Sequence, residues 1–381
     1  MSTNHYVALY SLKHVDRSCT IIHNIRLSKT GNGILSKSPN RLQFENSLFV
    51  REETNGTTVH EIESNTHKFF KDIPVDSFAE LDTHDEATAL VARLEDEGHR
   101  SRDIELTRPF RVNWLGSLAC NLACVYCYAE DKMDQGRPTE PQVFDTIEAL
   151  DPMVVGITGG EPLMSPYLAD AIKRFSGNYG LVLDTNGTVR PRPELLEALE
   201  EANATVRVTI DSTQQNVLNA VRPSRSGHEY SPEKIFETIR SLGRAGINVL
   251  AHTVMTSRNA DRLDEVGRKL VGLGIEHWQV YPVEYTHKYR ASYPFLRVDS
   301  DQVQAARADL TRIFEGDIDI RVYDQKEPTD GSSIIMIENS GDVILDEIAD
   351  GAEKRIKPGD NLLGRVMSNV NTPQHIEDYL Y

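Results

Sequence analysis

Between residues 110 and 281 six short apolar runs alternate with five longer amphipathic stretches. The apolar runs are Phe110–Leu115, Met153–Ile157, Gly180–Leu183, Thr205–Ile210, Ile247–Val254 and His277–Tyr281. The stretches between them near 140–150, 166–176, 191–202, 231–245 and 259–273 carry helical patterns. Apolar strands alternating with amphipathic helices imply an α/β core, with a parallel sheet and right-handed crossovers.

The loop after the first of these strands reads Cys120-Asn121-Leu122-Ala123-Cys124-Val125-Tyr126-Cys127, and the only other cysteine is Cys19. Three thiolates in a C-x3-C-x2-C pattern can converge on one centre, and soft sulfur ligands suit iron–sulfur chemistry. A [4Fe–4S] cluster wants four ligands, so three local thiolates leave one iron open to a group that is not a protein side chain. A structural zinc site would need a fourth Cys or His, usually paired at similar spacing, and no histidine here has that spacing. Chance clustering of buried cysteines is the remaining alternative. Cys19, standing alone, reads as a small buried hydrophobe.

The octet, with an aromatic residue just before its third cysteine, resembles the signature of radical S-adenosylmethionine (SAM) enzymes. The resemblance implies a partial (β/α)6 barrel and a [4Fe–4S] cluster held by Cys120, Cys124 and Cys127 beside Tyr126. It also implies S-adenosyl-L-methionine on the open iron, cleaved by one electron to a 5′-deoxyadenosyl radical that abstracts hydrogen. An external electron donor such as flavodoxin or ferredoxin follows from the same likeness. The site is then expected at the C-terminal strand ends, as in barrels generally.

Further motifs stand at those ends. Thr158-Gly159-Gly160-Glu161-Pro162 offers two glycines for close backbone approach and a carboxylate for a cationic group. It is similar to the family's GGEP segment, which holds the SAM amino group. Asn186, in Asp184-Thr185-Asn186-Gly187-Thr188, falls in a segment resembling the family's TNG, although Asn-Gly alone is an ordinary turn. Asp211 and Ser212 occupy the place of a polar pair used toward the ribose or carboxylate of SAM. Arg222 matches an arginine used for that carboxylate, the alternative being a surface arginine. Val280 is expected to pass the adenine through its backbone.

Substrate-side candidates are Tyr281 and Glu284, in the run Tyr281-Pro282-Val283-Glu284-Tyr285-Thr286-His287-Lys288-Tyr289. The tyrosines there could line a pocket or donate hydrogen and Glu284 could act as base, while aromatic packing is the ordinary alternative. His252 reads as a satisfied core histidine rather than a catalyst.

Three units are expected: an N-terminal α+β domain at 1–105, the partial barrel at 106–299 and a C-terminal α+β extension at 300–381. The first has strand-like runs at Tyr6–Tyr10, Cys19–Ile22 and Leu42–Phe44 to Phe49–Val50. A turn follows Thr30, and a helical pattern runs from Ser77 to about Glu97. In peptide-modifying members of the family it resembles, an N-terminal domain often grips the leader of the substrate, so the resemblance implies that role here, and a plain capping domain is an equal alternative. The extension reads as a helix near Asp301–Phe314, strands at Ile318–Val322 and Ile334–Ile337, a hairpin through Asn339–Asp342 into Val343–Leu345, and a helix after Pro373. Its layout is similar to that of peptide-modifying family members, which usually carry auxiliary clusters there, yet no cysteine follows Cys127. A single-cluster enzyme acting on a ribosomally made peptide, leader plus core, is the expectation. The alternatives are a small metabolite such as a nucleotide or sugar, or a non-catalytic iron–sulfur sensor.

A formal charge of −17 argues against nucleic-acid binding. No apolar run reaches membrane-spanning length, and the N-terminus lacks a basic-then-apolar signal, so the chain reads as cytoplasmic.

Overall fold

The computed structural model describes residues 34–38, 41–44, 48–53, 55–61, 66–79, 81, 84–101, 105–129, 141–284, 292–324, 334–347, 352–370 and 375. The expected strands at Tyr6–Tyr10 and Cys19–Ile22, the turn after Thr30 and the helix after Pro373 lie outside these residues, His375 apart.

The first sheet is an antiparallel meander of β1 (Ile34–Ser38), β2 (Arg41–Phe44), β3 (Leu48–Glu53), β4 (Gly56–Glu61) and β5 (Thr66–Lys71), neighbours in sequence being neighbours in space. The helical pattern that follows forms two helices, α1 (Asp76–Ala79) and α2 (His84–Asp96). Ala87, Leu90, Val91 and Leu94 share one face of α2 and close over Leu48, Val50, Val59 and Phe70.

All six parallel strands form, in the expected order. They are β6 (Arg111–Ser117), β7 (Val154–Gly159), β8 (Gly180–Thr185), β9 (Thr205–Thr209), β10 (Asn248–Met255) and β11 (His277–Pro282). The crossovers carry α3 (Gln142–Leu150), α4 (Leu168–Phe175), α5 (Pro193–Glu201), α6 (Gln215–Val221), α7 (Glu233–Arg244) and α8 (Leu263–Val271). Sequence reasoning passed over α6, because seven residues show too little periodicity. After α9 (Tyr293–Leu296) and α10 (Ser300–Ile313), β12 (Asp319–Val322) joins β11 in parallel as a seventh strand. On the other edge β13 (Ile335–Ile337) runs parallel to β6, and β14 (Val343–Glu347) and β15 (Ala352–Ile356) continue antiparallel before α11 (Leu362–Met367). Residues read as a separate extension thus lengthen the same sheet at both edges. The ten strands form an open sheet.

Strand registers sort the side chains onto two faces. Val112, Trp114, Val155, Ile157, Leu181, Leu183, Val206 and Val208 lie on the helix-covered face, in one core with Ile147, Ile172, Leu199, Ile239 and Leu270. Each fully buried aliphatic side chain there contributes roughly 1.5–3 kcal/mol. Arg111, Asn113, Asp184, Arg207, His252, Gln279 and Arg321 fall on the opposite, concave face, as the in-register partners Asp184–Arg207, His252–Gln279 and Gln279–Arg321 require.

The first sheet meets the N-terminal ends of β6, β7 and β8. Phe69 packs with Phe110, Met153, Val154 and Val182, its ring 5.6 Å from that of Phe110. The Arg51–Glu53 ion pair is buried at the junction, where Arg51 donates to Pro109 O (3.1 Å) and Glu53 accepts from Thr107 N (3.0 Å). No helix among the described residues is long and apolar enough to cross a membrane.

Candidate active site

The opposite, C-terminal strand ends gather the candidate residues. β6 delivers the chain to the cysteine loop, which runs beside the segment after α6: Ala123 N donates to Pro223 O (2.8 Å), Val125 N to Val221 O (2.9 Å) and Arg225 N to Asn121 O (2.9 Å). The glycine-rich turn after β7 is laced to the same loop, Gly160 N donating to Ser117 O (2.5 Å) and Glu161 N to Ala119 O (2.8 Å). Gly159 has φ +116°, and a Cβ there would run into Ser117 O. Only glycine fits that position without strain.

Cys120, Cys124 and Cys127 are all half-buried. Cys120 Sγ accepts from Leu122 N (3.4 Å) and Asn186 Nδ2 (3.8 Å). Burial pushes the Cys120 thiol up. It pushes Cys124 up to about 12, with the neighbouring Cys127 and Cys120 adding to the rise and Arg222 opposing it. These are thiols that a metal must deprotonate on binding. Among the described residues no three His, Cys, Asp or Glu side chains close on one point as ligands of a single ion do. Three thiols on one loop are the soft donors that an iron–sulfur cluster takes, and Cys120, Cys124 and Cys127 would hold it.

Glu161 is fully buried and accepts from three donors, Leu163 N (3.0 Å), Thr185 Oγ1 (2.7 Å) and Asn186 N (2.7 Å), which leaves a carboxylate one further acceptor site. Burial raises its carboxyl to about 6, against these hydrogen bonds, which lower it. Pro162 opens the short 3-10 turn Pro162–Met164 that Glu161 caps. Asn186 ties β8 to the cysteine loop, its Nδ2 donating to Asn121 Oδ1 (2.9 Å) while its Oδ1 accepts from Thr188 N (2.8 Å).

Asp211 and Arg222 are 0% and 1% exposed, which removes the surface reading of Arg222. Arg222 donates to Thr209 O (2.7 Å) and Asn186 O (2.5 Å), and its Nε stands 3.9 Å from Asp211. Asp211 accepts from the Tyr126 hydroxyl and from Val254 N (2.8 Å). Burial pushes the Asp211 carboxyl up against Arg222, and pushes the Tyr126 phenol well up, with the Asp211 charge adding to it. These three side chains bind the cysteine loop to the ends of β8, β9 and β10. Ser212 Oγ accepts from Gln214 N (3.0 Å) at the entry to α6.

The substrate-side candidates stand apart from this cluster of contacts. Val280 is buried on the helix-covered face, so only its backbone lies toward the concave side. Tyr281 stacks on Tyr323 (4.0 Å between centroids), meets the edge of His252 (5.0 Å) and donates to Gln279 Oε1 (3.3 Å). Glu284 is exposed beyond β11, and residues 285–291 lie outside the described residues. His252 lies half-buried on the concave face with a partner 3.4 Å away, Thr209 Oγ1, and burial together with the Arg207 charge pulls it down to about 3, so the ring is neutral.

Sequence reasoning missed the residues that position others. Asn121 and Thr185 lie inside quoted motifs without a role of their own there, and Asn259, in no motif, donates to Asp211 O (2.9 Å), 48 residues away in sequence, and to Val254 O (3.0 Å). Polar residues at alternate positions within the apolar runs, Arg111 and Asn113 in β6 and Arg207 and Thr209 in β9, were the available signal for a polar concave face.

Residues 115–284 match the model of the Radical SAM superfamily. Mycofactocin maturase MftC of Mycobacterium tuberculosis is 30% identical over 184 residues, covering 47% of this chain and 45% of the maturase. The chain therefore spans less than half the length of this relative. An S-adenosylmethionine-dependent nucleotide dehydratase of Selenomonas ruminantium is 23% identical over 71% of this chain and 97% of its own length. Among solved structures, Streptococcus suis SuiB bound to S-adenosylmethionine superposes with a TM-score of 0.60 at 12% identity, over 85% of this chain and 90% of SuiB. Another SuiB structure contains the precursor peptide SuiA. Residues 115–284 of this chain are a radical SAM domain, the part of that superfamily's enzymes that holds a [4Fe–4S] cluster and SAM.

Proposed function

We propose that the protein is a single-cluster radical SAM enzyme that abstracts hydrogen from a ribosomally made peptide. The observation that carries the reading is the lacing of the cysteine loop to the glycine-rich turn, which puts three thiols, an invited backbone approach and a buried carboxylate at one end of the sheet. When bound, the cluster and SAM supply one-electron cleavage to a 5′-deoxyadenosyl radical, and the electron comes from a donor such as flavodoxin or ferredoxin. Cys120, Cys124 and Cys127 would hold the cluster. Backbone at Gly159 and Gly160 and the Glu161 carboxylate would receive the SAM amino group, with Thr185 and Asn186 keeping that carboxylate oriented. Tyr126, Asp211 and Arg222 brace the cysteine loop against the ends of β8, β9 and β10, and the buried Arg222 Nε, which has no hydrogen-bond partner, would remain for the SAM carboxylate. Ser212 and the Val280 backbone line the remaining cofactor edge, and Tyr281 and Glu284 stand on the substrate side.

A peptide substrate is supported by the likeness to the maturase, and the first sheet would receive its leader. The full-length match to the nucleotide dehydratase favours a second reading, a small metabolite in the same place. Anaerobic reconstitution of the cluster, then dithionite and SAM with 5′-deoxyadenosine as readout, tests the first step. Formation of 5′-deoxyadenosine supports it, and loss of SAM binding overturns it. Pull-down of a peptide encoded nearby, against calorimetry with nucleotides, separates the two substrates.

A further inference from the structure

The side chain of Asn186, just past the end of β8, closes a ring of hydrogen bonds with the cysteine loop. Its Oδ1 accepts from Thr188 N (2.8 Å) and Thr188 Oγ1 (2.7 Å), and its Nδ2 donates to Asn121 Oδ1 (2.9 Å). Asn121 Nδ2 in turn donates to Thr188 Oγ1 (2.8 Å). A backbone N–H can only donate, so the bond from Thr188 N fixes which end of the Asn186 amide is oxygen. Nδ2 must then lie toward the cysteine loop. One of its two protons serves Asn121, and Cys120 Sγ stands 3.8 Å from the same nitrogen to take the other. Leu122 N, 3.4 Å away, is a second donor to that sulfur.

The backbone of Asn186 is held as firmly as its side chain. Asn186 N donates to Glu161 Oε2 (2.7 Å), and Asn186 O accepts from Arg222 Nη2 (2.5 Å). Gly187 follows at φ +74°, where a Cβ would stand 2.8 Å from the Ile235 and Val208 side chains. That left-handed step returns Thr188 onto Asn186. An ordinary Asn-Gly turn is complete with the bond from Thr188 N to Oδ1. The amide proton directed at sulfur is not needed for the turn.

We infer that Asn186 is a positioning residue for the cluster: its Nδ2–H donates to the Cys120 sulfur, orients that ligand and raises the reduction potential of the bound cluster. The inference rests on the cluster of the proposed function, and goes beyond the place beside SAM that the TNG likeness implies for Asn186. An N–H donated to a ligand sulfur stabilises the more negative, reduced cluster over the oxidised one. Hydrogen bonds to the sulfurs are among the factors that set such potentials. A cluster that accepts an electron more readily suits the one-electron cleavage proposed above.

The test uses the full chain with its cluster reconstituted anaerobically and no SAM added. The readout is the potential of the one-electron couple, followed by electron paramagnetic resonance during stepwise reduction with dithionite. Asn186→Leu keeps the branched shape and removes the donor. It should disfavour reduction about tenfold, the scale of one hydrogen bond to a charged group, which is a shift of about 59 mV to lower potential. Asn186→Asp removes the donor and adds a negative charge, so its potential should fall at least as far. Thr188→Val takes away one ring bond but leaves Thr188 N on Asn186 Oδ1, so the potential should hold. The parent's potential in Asn186→Leu or Asn186→Asp overturns the inference. So does a Thr188→Val shift as large as that of Asn186→Leu, which would assign the effect to the ring and not to the N–H at sulfur. If Asn186→Leu fails to hold a cluster, Asn186→Asp decides. Failure of both to take up iron while Thr188→Val loads normally would make Asn186 a structural brace and overturn the tuning role. If the unaltered chain forms a [4Fe–4S] cluster and the potentials do not move, this inference fails alone. If it forms none, the underlying reading fails first.

Discussion

The two ends of β6, β7 and β8 are built from opposite materials. Where the strands start, Phe110, Phe69, Val154 and Val182 close the sheet with side-chain packing, and the first sheet lies against them. Where they finish, apolar side chains give way to glycine, asparagine, glutamate and the cysteine loop, held by hydrogen bonds between turns. Packing at the start resists deformation whatever the chemistry above it. The finish trades apolar burial for a precise arrangement of backbone donors and half-buried sulfur, as barrels separate stability from activity. Substitutions at the two ends should therefore fail in different assays.

The largest effect is expected at the finish. Alanine in place of Cys120, Cys124 or Cys127 should abolish 5′-deoxyadenosine formation and lower bound iron, with little change in the urea midpoint because each thiol is only half-buried. Full activity in any one of the three would remove that cysteine from the ligand set. At the start, Phe110→Ala should cost about 3–5 kcal/mol in denaturant unfolding, since Phe110 is fully buried. The folded fraction should still take up iron. Failure to do so would show that the two ends are coupled.

A third expectation separates the ends by pH. The Glu161 carboxyl stands at about 6 in the folded protein against an ordinary 4.5, raised by burial. A raised acid stabilises the fold fully below about 4.5, and that contribution is lost as pH rises through about 6, a change of about 2 kcal/mol. The difference in stability between the parent and Glu161→Gln should follow that window. SAM affinity should run the other way and weaken as pH falls below about 6, because an amino group needs the charged carboxylate. A flat stability difference would mean that the Glu161 hydrogen bonds outweigh its burial. The smallest effect lies outside both ends. Asp299 caps α10 in a reciprocal pair with Gln302, and Asp299→Ala should cost about 1 kcal/mol with cluster loading unchanged.

Much of the finish was legible without coordinates. The cysteine octet and Gly159-Gly160-Glu161 are local patterns whose spacing carries their chemistry, and the period of the apolar runs located all six strands. The roles of Asp211 and Arg222 were less legible. Both were read as facing the cofactor, and the fold adds a bracing role, with Arg222 also donating to Thr209 O and Asn186 O. A sequence does not state which backbone carbonyls will crowd a side chain. His252 likewise needed its neighbours: only the fold brings Thr209, Arg207 and Tyr281 around it.

The sequence by itself determined the alternation that makes a parallel sheet, the thiol spacing and the glycines at a strand end, because each is encoded within a few consecutive residues. Tertiary structure alone decided that the C-terminal residues extend the same sheet at both edges, that the first sheet closes the strand starts, and that Arg111, Asp184, Arg207 and Arg321 share one face. Those outcomes depend on strand register and on contacts between residues far apart in the chain, and local patterning carries no record of either.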